Sequence, residues 1–304
     1  MTKQMGNEES RMEKEDAHRH FGKQAETYGS DYRKTGHTKY PANRYRLNIV
    51  KDILLSLKPH KILDIGCGTG DPLIEINGLG FDIDGFDFSE EMVRFAKQNV
   101  EGVGLSSETV FRDDMEDPQR IESGKYDCMI ALGSVYYARN FEQTMSVLTE
   151  KLRPGGSFIF SLRNDLFALF SMNQYTVAFL LDQCIPSLEL SPDIKNALIE
   201  DLNGRFGAKR DNASIANIDS ANVHSASHNP LTVEDEVLHP RGMILEKTYY
   251  YHYHALPPRF EAILSEEFRA HSAAMERPSD WRGLFMASGF VVHARKPADN
   301  VAER

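Results

Sequence analysis

Short apolar runs alternate with amphipathic stretches along residues 61–164, and this alternation restricts the fold more than any other feature. The apolar runs, such as "KILDIG", "FDIDGFD" and "YDCMIALGS", end in turn residues and are typical of buried strands. The stretch "SEEMVRFAKQNV" is typical of a helix, because Ser89 stands at the N-cap and acidic residues follow in the first turn. Strands that alternate with helices predict an α/β core, a parallel sheet with helices on both faces.

The flanking segments have different patterns. Residues 1–16 are polar and charged without periodicity, which predicts a disordered tail. Residues 17–60 contain two helical patterns, which predict an N-terminal helical cover. Residues 165–235 combine an aromatic-rich helical stretch with a long polar run, residues 208–229, and predict a helical insert with a mobile lid. Residues 236–304 predict C-terminal strands that complete the sheet.

Composition and charge restrict the class of protein. The 304 residues carry a formal net charge of −10, which argues against a nucleic-acid partner because phosphate binding needs basic surface. No apolar run has the roughly 18 residues of a membrane helix, and the N-terminal segment lacks the apolar core of a signal peptide. Cys67, Cys128 and Cys184 form neither a metal-binding spacing nor a disulfide framework. We therefore expect a reduced, cytoplasmic protein of enzyme size.

The segment "ILDIGCGTGDP" carries Gly66, Gly68 and Gly70 directly after the first apolar run. Glycines at this density indicate a tight turn that a ligand or another part of the chain approaches closely. A dinucleotide site uses the spacing G-x-G-x-x-G, whereas this loop has G-x-G-x-G. Asp64, just before the loop, would repel a pyrophosphate, and Asp87 lies 21 residues beyond Gly66, as a ribose-binding acid would. The pattern indicates a nucleoside with an attached cationic group.

Five segments together, "LDIGCGTG", "GFDFSEEMVRFAKQ", "FRDDMED", "YDCMIALGSVYY" and "LRPGGSFIFS", resemble the class I S-adenosylmethionine-dependent methyltransferases in order and spacing. The resemblance covers residues 61–163. It implies a Rossmann-like, seven-stranded, mostly parallel sheet with helices on both faces, an N-terminal helical cover and a helical insert after the fifth strand. It also implies S-adenosyl-L-methionine as the cofactor and S-adenosyl-L-homocysteine as the product.

The same resemblance implies roles for individual residues. The glycine loop would lie against the methionine part of the cofactor, and Asp64 would contact the amino group through the loop or a water. Asp87 would bind both ribose hydroxyls, and Asp113 or Asp114 would accept from the adenine amino group; the sequence leaves these two open. Cys67 is expected to pack beneath the loop as a small residue. The implied cofactor site also contains Tyr28, Phe88, Met92, Met115, Leu132 and Gly133.

The N-terminal segment "FGKQAETY" is similar to the segment that closes over the cofactor in many small-molecule methyltransferases. The similarity places Tyr28 over the site, with Tyr32 and Tyr40 near it as substrate contacts. An ordinary packing helix is the alternative interpretation.

The stretch "TYYYHYHALPP" ends the predicted sixth strand, and ligands of open α/β sheets bind beyond the carboxyl ends of the strands. Strand alternation places Tyr250, His252 and His254 on one face. His254 is nearest the strand end and is the favoured general base, with His252 as the second candidate. A hydrogen-bonded structural histidine is the alternative. Although a His-x-His pair can bind a metal, no third ligand has a convincing spacing, so we expect no metal site.

Further candidates for substrate contact follow the next strands. Arg163 and Asn164 end the fifth predicted strand and are expected to face the substrate. Arg163 could hold a carboxylate or phosphate of the substrate, or pair with an acid of the lid. The remaining candidates are aromatic and come from the end of the fourth strand and from the insert: Tyr136, Tyr137, Phe170 and Tyr175.

The sequence thus predicts a methyltransferase that acts on an oxygen or nitrogen of a small molecule, such as a ring, a sugar or a secondary metabolite. Methyl transfer from a sulfonium is an in-line displacement, so alignment supplies much of the catalysis, and a base is needed only for a hydroxyl or a protonated amine. One alternative is a protein that binds the cofactor without turnover. The other is an NAD(P)-dependent reductase, which would need a G-x-G-x-x-G loop and a Tyr-x-x-x-Lys set that the chain lacks.

Overall fold

The computed structural model describes residues 40–207 and 225–298. Tyr28 and Tyr32 lie outside the described residues, together with the predicted tail at 1–16. Residues 208–224 of the predicted lid also lie outside them.

A mixed sheet forms the centre of the described chain. Its strands are β1 (Lys61–Ile65), β2 (Asp82–Asp87), β3 (Val110–Arg112), β4 (Cys128–Ala131), β5 (Ser157–Asn164), β6 (Ser227–His228), β7 (Ile244–Tyr253) and β8 (Ala287–Arg295). Their spatial order is β3-β2-β1-β4-β5-β8-β7, and the two-residue strand β6 pairs with the end of β5. The predicted mostly parallel, Rossmann-like sheet is confirmed, and β6 adds to the seven strands expected.

Strand direction decides where a ligand can bind. Strands β1 to β5 are parallel to one another, and β8 is antiparallel to both β5 and β7. Strand β7 therefore runs in the same direction as β5. The carboxyl ends of β1, β2, β4, β5 and β7 meet at one edge of the sheet, which is the edge where open α/β sheets bind ligands.

Helices cover both faces of the sheet. They are α1 (Ala42–Leu57), α2 (Asp71–Asn77), α3 (Glu90–Gly102), α4 (Phe141–Lys151), α5 (Phe167–Ser171), α6 (Gln174–Phe179), α7 (Pro192–Phe206), α8 (Glu261–Ala274) and α9 (Gly283–Met286). Helices α1, α2 and α3 pack on one face, and α4 packs on the other. Helices α5, α6 and α7 form the insert that was predicted after the fifth strand.

The apolar core is divided between the two faces because successive side chains of a strand point in opposite directions. In β1, Ile62 packs beneath α1 and α2, whereas Leu63 and Ile65 pack on the α4 side. Cys128 of β4 is fully buried beneath α1 and α2, as expected for a core residue.

Two segments with helix-forming sequence are not regular α-helices. The stretch "TVEDEVLHPRG" does not form an α-helix. It forms a π-helical turn, Glu234–Leu238, followed by a 3-10 turn, His239–Arg241. Pro240 lacks the N–H that an α-helix would need there, and Gly242 ends the turn with a φ of 64°. The aromatic insert is also broken, because Met172 has a left-handed conformation and Asn173 caps a new helix.

No helix of residues 40–207 and 225–298 is long and apolar enough to cross a membrane. Within the same residues, no group of three or more His, Cys, Asp or Glu side chains is arranged to hold a metal ion.

Candidate functional site

The glycine loop between β1 and α2 has a left-handed backbone at each of its glycines. The φ angles of Gly66, Gly68 and Gly70 are 73°, 54° and 80°. At position 66 space is also restricted, because a β-carbon there would lie 2.5 Å from the Cβ of Ser134. The backbone N–H groups of Gly66 and Cys67 both donate to the Phe86 carbonyl of β2, at 2.9 Å. The loop is therefore fixed tightly against the ends of β2 and β4.

Asp87 is held at the carboxyl end of β2 by the backbone on both sides of it. Its Oδ2 accepts from the Gly68 N–H at 3.0 Å, and its Oδ1 accepts from the Ser89 N–H at 2.9 Å. Ser89 in turn caps α3, as the sequence predicts, by accepting from the Met92 N–H. A carboxylate can accept about four hydrogen bonds in all, so this group has the chemistry to bind two vicinal hydroxyls as well.

Asp64, at the end of β1, is a buried carboxylate beside Asp87. It is 1% exposed, and no described residue hydrogen-bonds its Oδ2. Burial, and then the negative charge of Asp87, raise the pKa of Asp64 to about 7, while the guanidinium of Arg46 acts in the opposite direction. A buried carboxyl group with an unsatisfied oxygen favours the arrival of a cationic hydrogen-bond donor.

Arg46 of α1 is a site residue that the sequence analysis missed. It is 4% exposed. Its Nη1 lies directly beside Gly133, because a β-carbon on Gly133 would be only 2.4 Å from that atom. Its guanidinium also lies 5.9 Å from the ring centre of Tyr251 in β7. The available signal was spacing: Arg46 stands four residues before Val50, on the apolar face of α1, where a charge is not expected unless it serves a site.

The structure separates the roles of Asp113 and Asp114, which follow β3. Both carboxylate oxygens of Asp113 are occupied by backbone donors, the N–H groups of Asp114, Gln119 and Arg120, at 2.9–3.1 Å. Asp113 thus shapes the turn. The Asp114 carboxylate accepts from the Glu116 N–H at 2.9 Å and is half-buried. These hydrogen bonds favour Asp114 over Asp113 as the candidate for adenine, and the choice between them stays a prediction.

The other predicted cofactor residues surround the loop in different ways. Cys67 is buried, and a β-carbon on Gly85 would lie 3.2 Å from its Sγ, so it packs beneath the loop as expected. Burial raises the pKa of the Cys67 thiol well above its usual range, which excludes a role as nucleophile. Met92 and Leu132 are buried, while Phe88 and Met115 are half-buried.

A second group of predicted residues lies together at the end of β7. The ring of Tyr40 stacks on His252 with a centroid distance of 4.8 Å, and His252 lies 4.8 Å from His254. The ring centre of His254 in turn lies 4.7 Å from that of Phe167, a residue of the insert. The two imidazoles share one side, as strand alternation predicts, although His252 itself has a left-handed φ of 63°. We call Tyr40, Phe167, His252 and His254 the ring cluster.

Burial keeps both histidines neutral. It lowers the pKa of His252 to about 4, with a further contribution from Arg46, and it lowers that of His254 well below its usual value, with a contribution from His252. The Oγ of Ser288 lies 2.8 Å from His252 Nδ1. Among the described residues, neither ring nitrogen of His254 has a hydrogen-bond partner.

Glu276, which follows α8, is the second site residue that the sequence analysis missed. Its Oε1 accepts from the Tyr40 hydroxyl and from the Tyr253 backbone N–H, the latter at 2.9 Å. Burial raises its pKa to about 7, and the hydrogen bond from Tyr40 opposes that shift. No sequence signal pointed to it, because Glu276 lies in a turn and 236 residues from Tyr40.

Arg163 and the tyrosines after β4 form a third group. The guanidinium of Arg163 lies 5.1 Å from the ring centre of Tyr136 and 5.7 Å from that of Tyr137. Its Nη1 donates to the Ser225 hydroxyl at 2.7 Å. The expectation that Asn164 faces substrate is wrong, because its buried side-chain amide donates to the backbone carbonyls of residues 283, 284 and 287.

The two remaining insert residues lie farther out. Phe170 of α5 is half-buried, 6.1 Å from the ring centre of Phe167. Tyr175 of α6 is 36% exposed. Through Phe167 the insert joins the ring cluster, and Phe170 extends that contact.

Fold and site define an α/β protein whose glycine loop and buried carboxylates Asp64 and Asp87 lie at the carboxyl edge of its sheet. Residues 57–202, just under half of the chain, match a family model described as a methyltransferase domain. Over these residues the chain is therefore similar to a methyltransferase domain.

Among curated proteins, the ubiquinone biosynthesis O-methyltransferase of Photobacterium profundum is 27% identical over 137 residues, 43% of this chain and 58% of that protein. The chain spans about half the length of the curated relatives it matches.

Two solved structures share the fold across nearly the whole chain. An S-adenosylmethionine-dependent methyltransferase of Thermotoga maritima has a TM-score of 0.52 at 15% identity and covers 91% of this chain and 99% of its own. The magnesium protoporphyrin IX methyltransferase of Synechocystis PCC 6803 was solved with S-adenosylhomocysteine bound. It has a TM-score of 0.51 at 15% identity, and the match covers 88% of this chain and 92% of that enzyme.

Proposed function

We propose that this protein is an S-adenosylmethionine-dependent methyltransferase that methylates an oxygen or a nitrogen of a small molecule. The observation that carries the proposal is the placement of two buried carboxylates, Asp64 and Asp87, at adjacent strand ends beside the left-handed glycine loop. Two close negative charges disfavour a phosphate-bearing ligand and favour one that is cationic next to a ribose.

The residues present fit the cofactor. Asp64 offers an unsatisfied buried oxygen to the amino group, and Asp87 offers its carboxylate to the ribose hydroxyls. Asp114 is proposed for the adenine amino group, and the guanidinium of Arg46 has the charge to bind a carboxylate. When bound, S-adenosylmethionine supplies a methyl group on a positively charged sulfur.

The ring cluster is proposed as the acceptor end of the site. It lies at the carboxyl edge of the sheet, and Arg46 connects it to the cofactor end by influencing the pKa of both Asp64 and His252. A neutral imidazole can accept the proton that a hydroxyl or an ammonium releases on methylation. His254 is the proposed general base and His252 the second candidate. Tyr136, Tyr137 and Arg163 are proposed as further acceptor contacts.

A small acceptor fits this end better than a macromolecule. His254 of the ring cluster lies between Phe167 of α5 and Phe268 of α8, and such aromatic surroundings suit a small ring better than a polymer chain. The net charge of −10 disfavours a nucleic-acid acceptor. The names of the similar proteins, which include a ubiquinone-pathway and a protoporphyrin enzyme, support a ring-shaped acceptor.

Calorimetric titration with S-adenosylhomocysteine tests the cofactor, with NADH as the comparison ligand. We expect S-adenosylhomocysteine to bind with a dissociation constant on the order of micromolar and NADH not to bind. Asp87→Ala should weaken the binding about a hundredfold, because two charge-assisted hydrogen bonds are lost. Asp193→Ala, a change at an exposed carboxylate, is the matched control and should bind like the unmodified protein.

Turnover is tested by measuring S-adenosylhomocysteine release from S-adenosylmethionine against a panel of phenols, amines and sugars. Release with one class of acceptor supports the proposal. Tight binding of S-adenosylhomocysteine with no release across the panel would favour a protein that binds the cofactor without turnover. Binding of NADH in its place would contradict the proposed reading of the glycine loop.

A further inference from the structure

Tyr45 extends the ring cluster into a continuous series of aromatic side chains, in which Tyr40 and His252 are stacked and the other neighbours are tilted. Tyr45, Tyr40, His252, His254 and Phe167 follow in that order, each within 5.7 Å of the next by ring centres. Surfaces of this kind bind flat ring molecules by stacking, and the faces of Tyr and Phe rings also attract cations.

A carboxylate, that of Glu276, stands beside Tyr40 in this series. The Tyr40 hydroxyl and the Tyr253 N–H orient Glu276 through its Oε1. Its other oxygen, Oε2, is buried and has no hydrogen-bond partner among residues 40–207 and 225–298. A buried acceptor without a donor is costly, and it is found mainly where a ligand completes it.

The surroundings of Glu276 lack a compensating positive charge. None of the ion pairs formed within the described chain includes Glu276, and the groups that shift its pKa are Tyr40 and backbone N–H groups. The two imidazoles in the series are neutral because of their burial. A carboxylate in such surroundings gains most from a ligand that brings both a positive charge and an N–H donor.

We propose that Glu276 determines acceptor specificity, and that the ring cluster takes a flat ring molecule with a basic nitrogen, whose N–H group donates to Oε2. The ring would pack against the outer side of this aromatic series next to Tyr40, and the nitrogen would complete the buried carboxylate. Glu276 acts as a binding residue in this scheme, while His254 stays available to the methylated atom. The inference rests on the proposed function, since it assigns the acceptor end of the same site.

Two probes of equal shape separate charge from stacking: 2-phenylethylamine, which is an ammonium at neutral pH, and 2-phenylethanol. Their binding to the full chain saturated with S-adenosylhomocysteine can be measured by ligand-observed NMR titration. We expect the amine to bind at least about tenfold more tightly than the alcohol, because its hydrogen bond to Glu276 is charge-assisted.

Glu276→Gln tests the residue itself. The amide oxygen can still accept from Tyr40 and Tyr253, but an NH₂ group replaces Oε2 and cannot accept from an ammonium. We expect this variant to lose the preference for the amine while it keeps its affinity for S-adenosylhomocysteine and a cooperative unfolding transition. Glu267→Gln, at an exposed carboxylate on α8, is the matched control and should keep the preference.

The outcomes are distinct. Equal binding of amine and alcohol by the unmodified protein overturns the inference, as does a lack of amine binding. A preference that survives Glu276→Gln also overturns it. Failure of S-adenosylhomocysteine to bind the unmodified protein contradicts the proposed function instead, and this is measured before any probe is added. Because the comparison of the two probes needs no variant, the inference can be tested even if Glu276→Gln does not fold.

Discussion

The proposed cofactor end and the proposed acceptor end of the site are built from very different ranges of the chain. At the cofactor end, Asp87 is oriented by backbone N–H groups that lie 19 and 2 residues away. At the acceptor end, Tyr40 and Glu276 meet across 236 residues. One end is made by a short strand-loop-strand unit, and the other by side chains from α1, the insert, β7 and the turn after α8.

This difference affects how each end can change. The loop at the cofactor end is fixed by backbone geometry, since its glycines have positive φ angles and its N–H groups bond to β2. The acceptor end depends on side chains, so substitution there can alter the ligand while the fold stays intact. A fold that serves many acceptors needs this arrangement, with one constant end and one variable end.

The largest expected effect is at Gly66. Gly66→Ala adds a β-carbon 2.5 Å from Ser134 Cβ at a φ of 73°, so we expect it to cost about 3 kcal/mol of unfolding free energy and to abolish S-adenosylhomocysteine binding. Gly124→Ala is the matched control, since its φ is 75° and no atom would lie within 4 Å of the new carbon. That variant should cost only about 1 kcal/mol, the contribution of backbone strain alone. Urea unfolding measures both, and equal costs would show that the close approach to Ser134 does not matter.

The same contrast explains what the sequence could predict. "LDIGCGTG" and the 21-residue interval to Asp87 define the cofactor end, because local spacing places strand ends and loop together. Asp64 was predicted on the same grounds. Glu276 was not predicted, because its position depends on packing between distant elements. Arg46 was also missed, although a charge on the apolar face of α1 was a signal that could have indicated it. His252 and His254 were found by strand alternation, but their neutral state follows from burial that alternation does not reveal.

The next effect is a pH dependence of stability shared by the two ends. The pKa values of Asp64 and Glu276 are raised to about 7, so the folded protein binds more protons than the unfolded chain between their ordinary values and pH 7. The free energy of unfolding therefore falls as the pH rises from those ordinary values to about 7, and it levels off above pH 7. Asp64→Asn and Glu276→Gln each remove one such titration, and each should be more stable than the unmodified protein by about 1–3 kcal/mol at pH 8, with little gain at pH 4.

Ligand binding separates the two variants in that experiment. S-adenosylhomocysteine should stabilise Glu276→Gln as much as the unmodified protein, because Glu276 lies at the acceptor end. It should stabilise Asp64→Asn much less, because the amino group loses its carboxylate. The buried histidines make all of these proteins less stable below pH 6.5, and equally so, because their folded pKa values are lowered. The measurement is the free energy of unfolding of each protein at pH 4, 6 and 8. If this free energy depends on pH in the same way in the unmodified protein and in both variants, the assignment of both carboxyl groups is contradicted.

A smaller effect distinguishes Asp113 from Asp114. Asp113→Asn replaces one of two oxygens that accept backbone N–H groups, so it should cost about 1–2 kcal/mol of stability. Its effect on cofactor affinity should be small once the folded fraction is taken into account. Asp114→Asn should do the reverse, with a stability change below about 0.5 kcal/mol and a several-fold loss of S-adenosylhomocysteine affinity. An affinity loss confined to Asp113→Asn would return the adenine contact to that residue.

The smallest effect concerns the serine that orients His252. Ser288→Ala removes the hydroxyl that lies 2.8 Å from His252 Nδ1, and it should cost about 0.5–1 kcal/mol. Ser157→Ala is a matched control at the opposite edge of the sheet, where the Ser157 Oγ lies 3.2 Å from His293 Nε2, and its cost should be similar. Only Ser288→Ala should change the nitrogen-15 shifts of His252 and raise KM for the acceptor. If both variants leave KM for the acceptor unchanged, the Ser288 hydroxyl of β8 is not needed to orient His252 for acceptor binding.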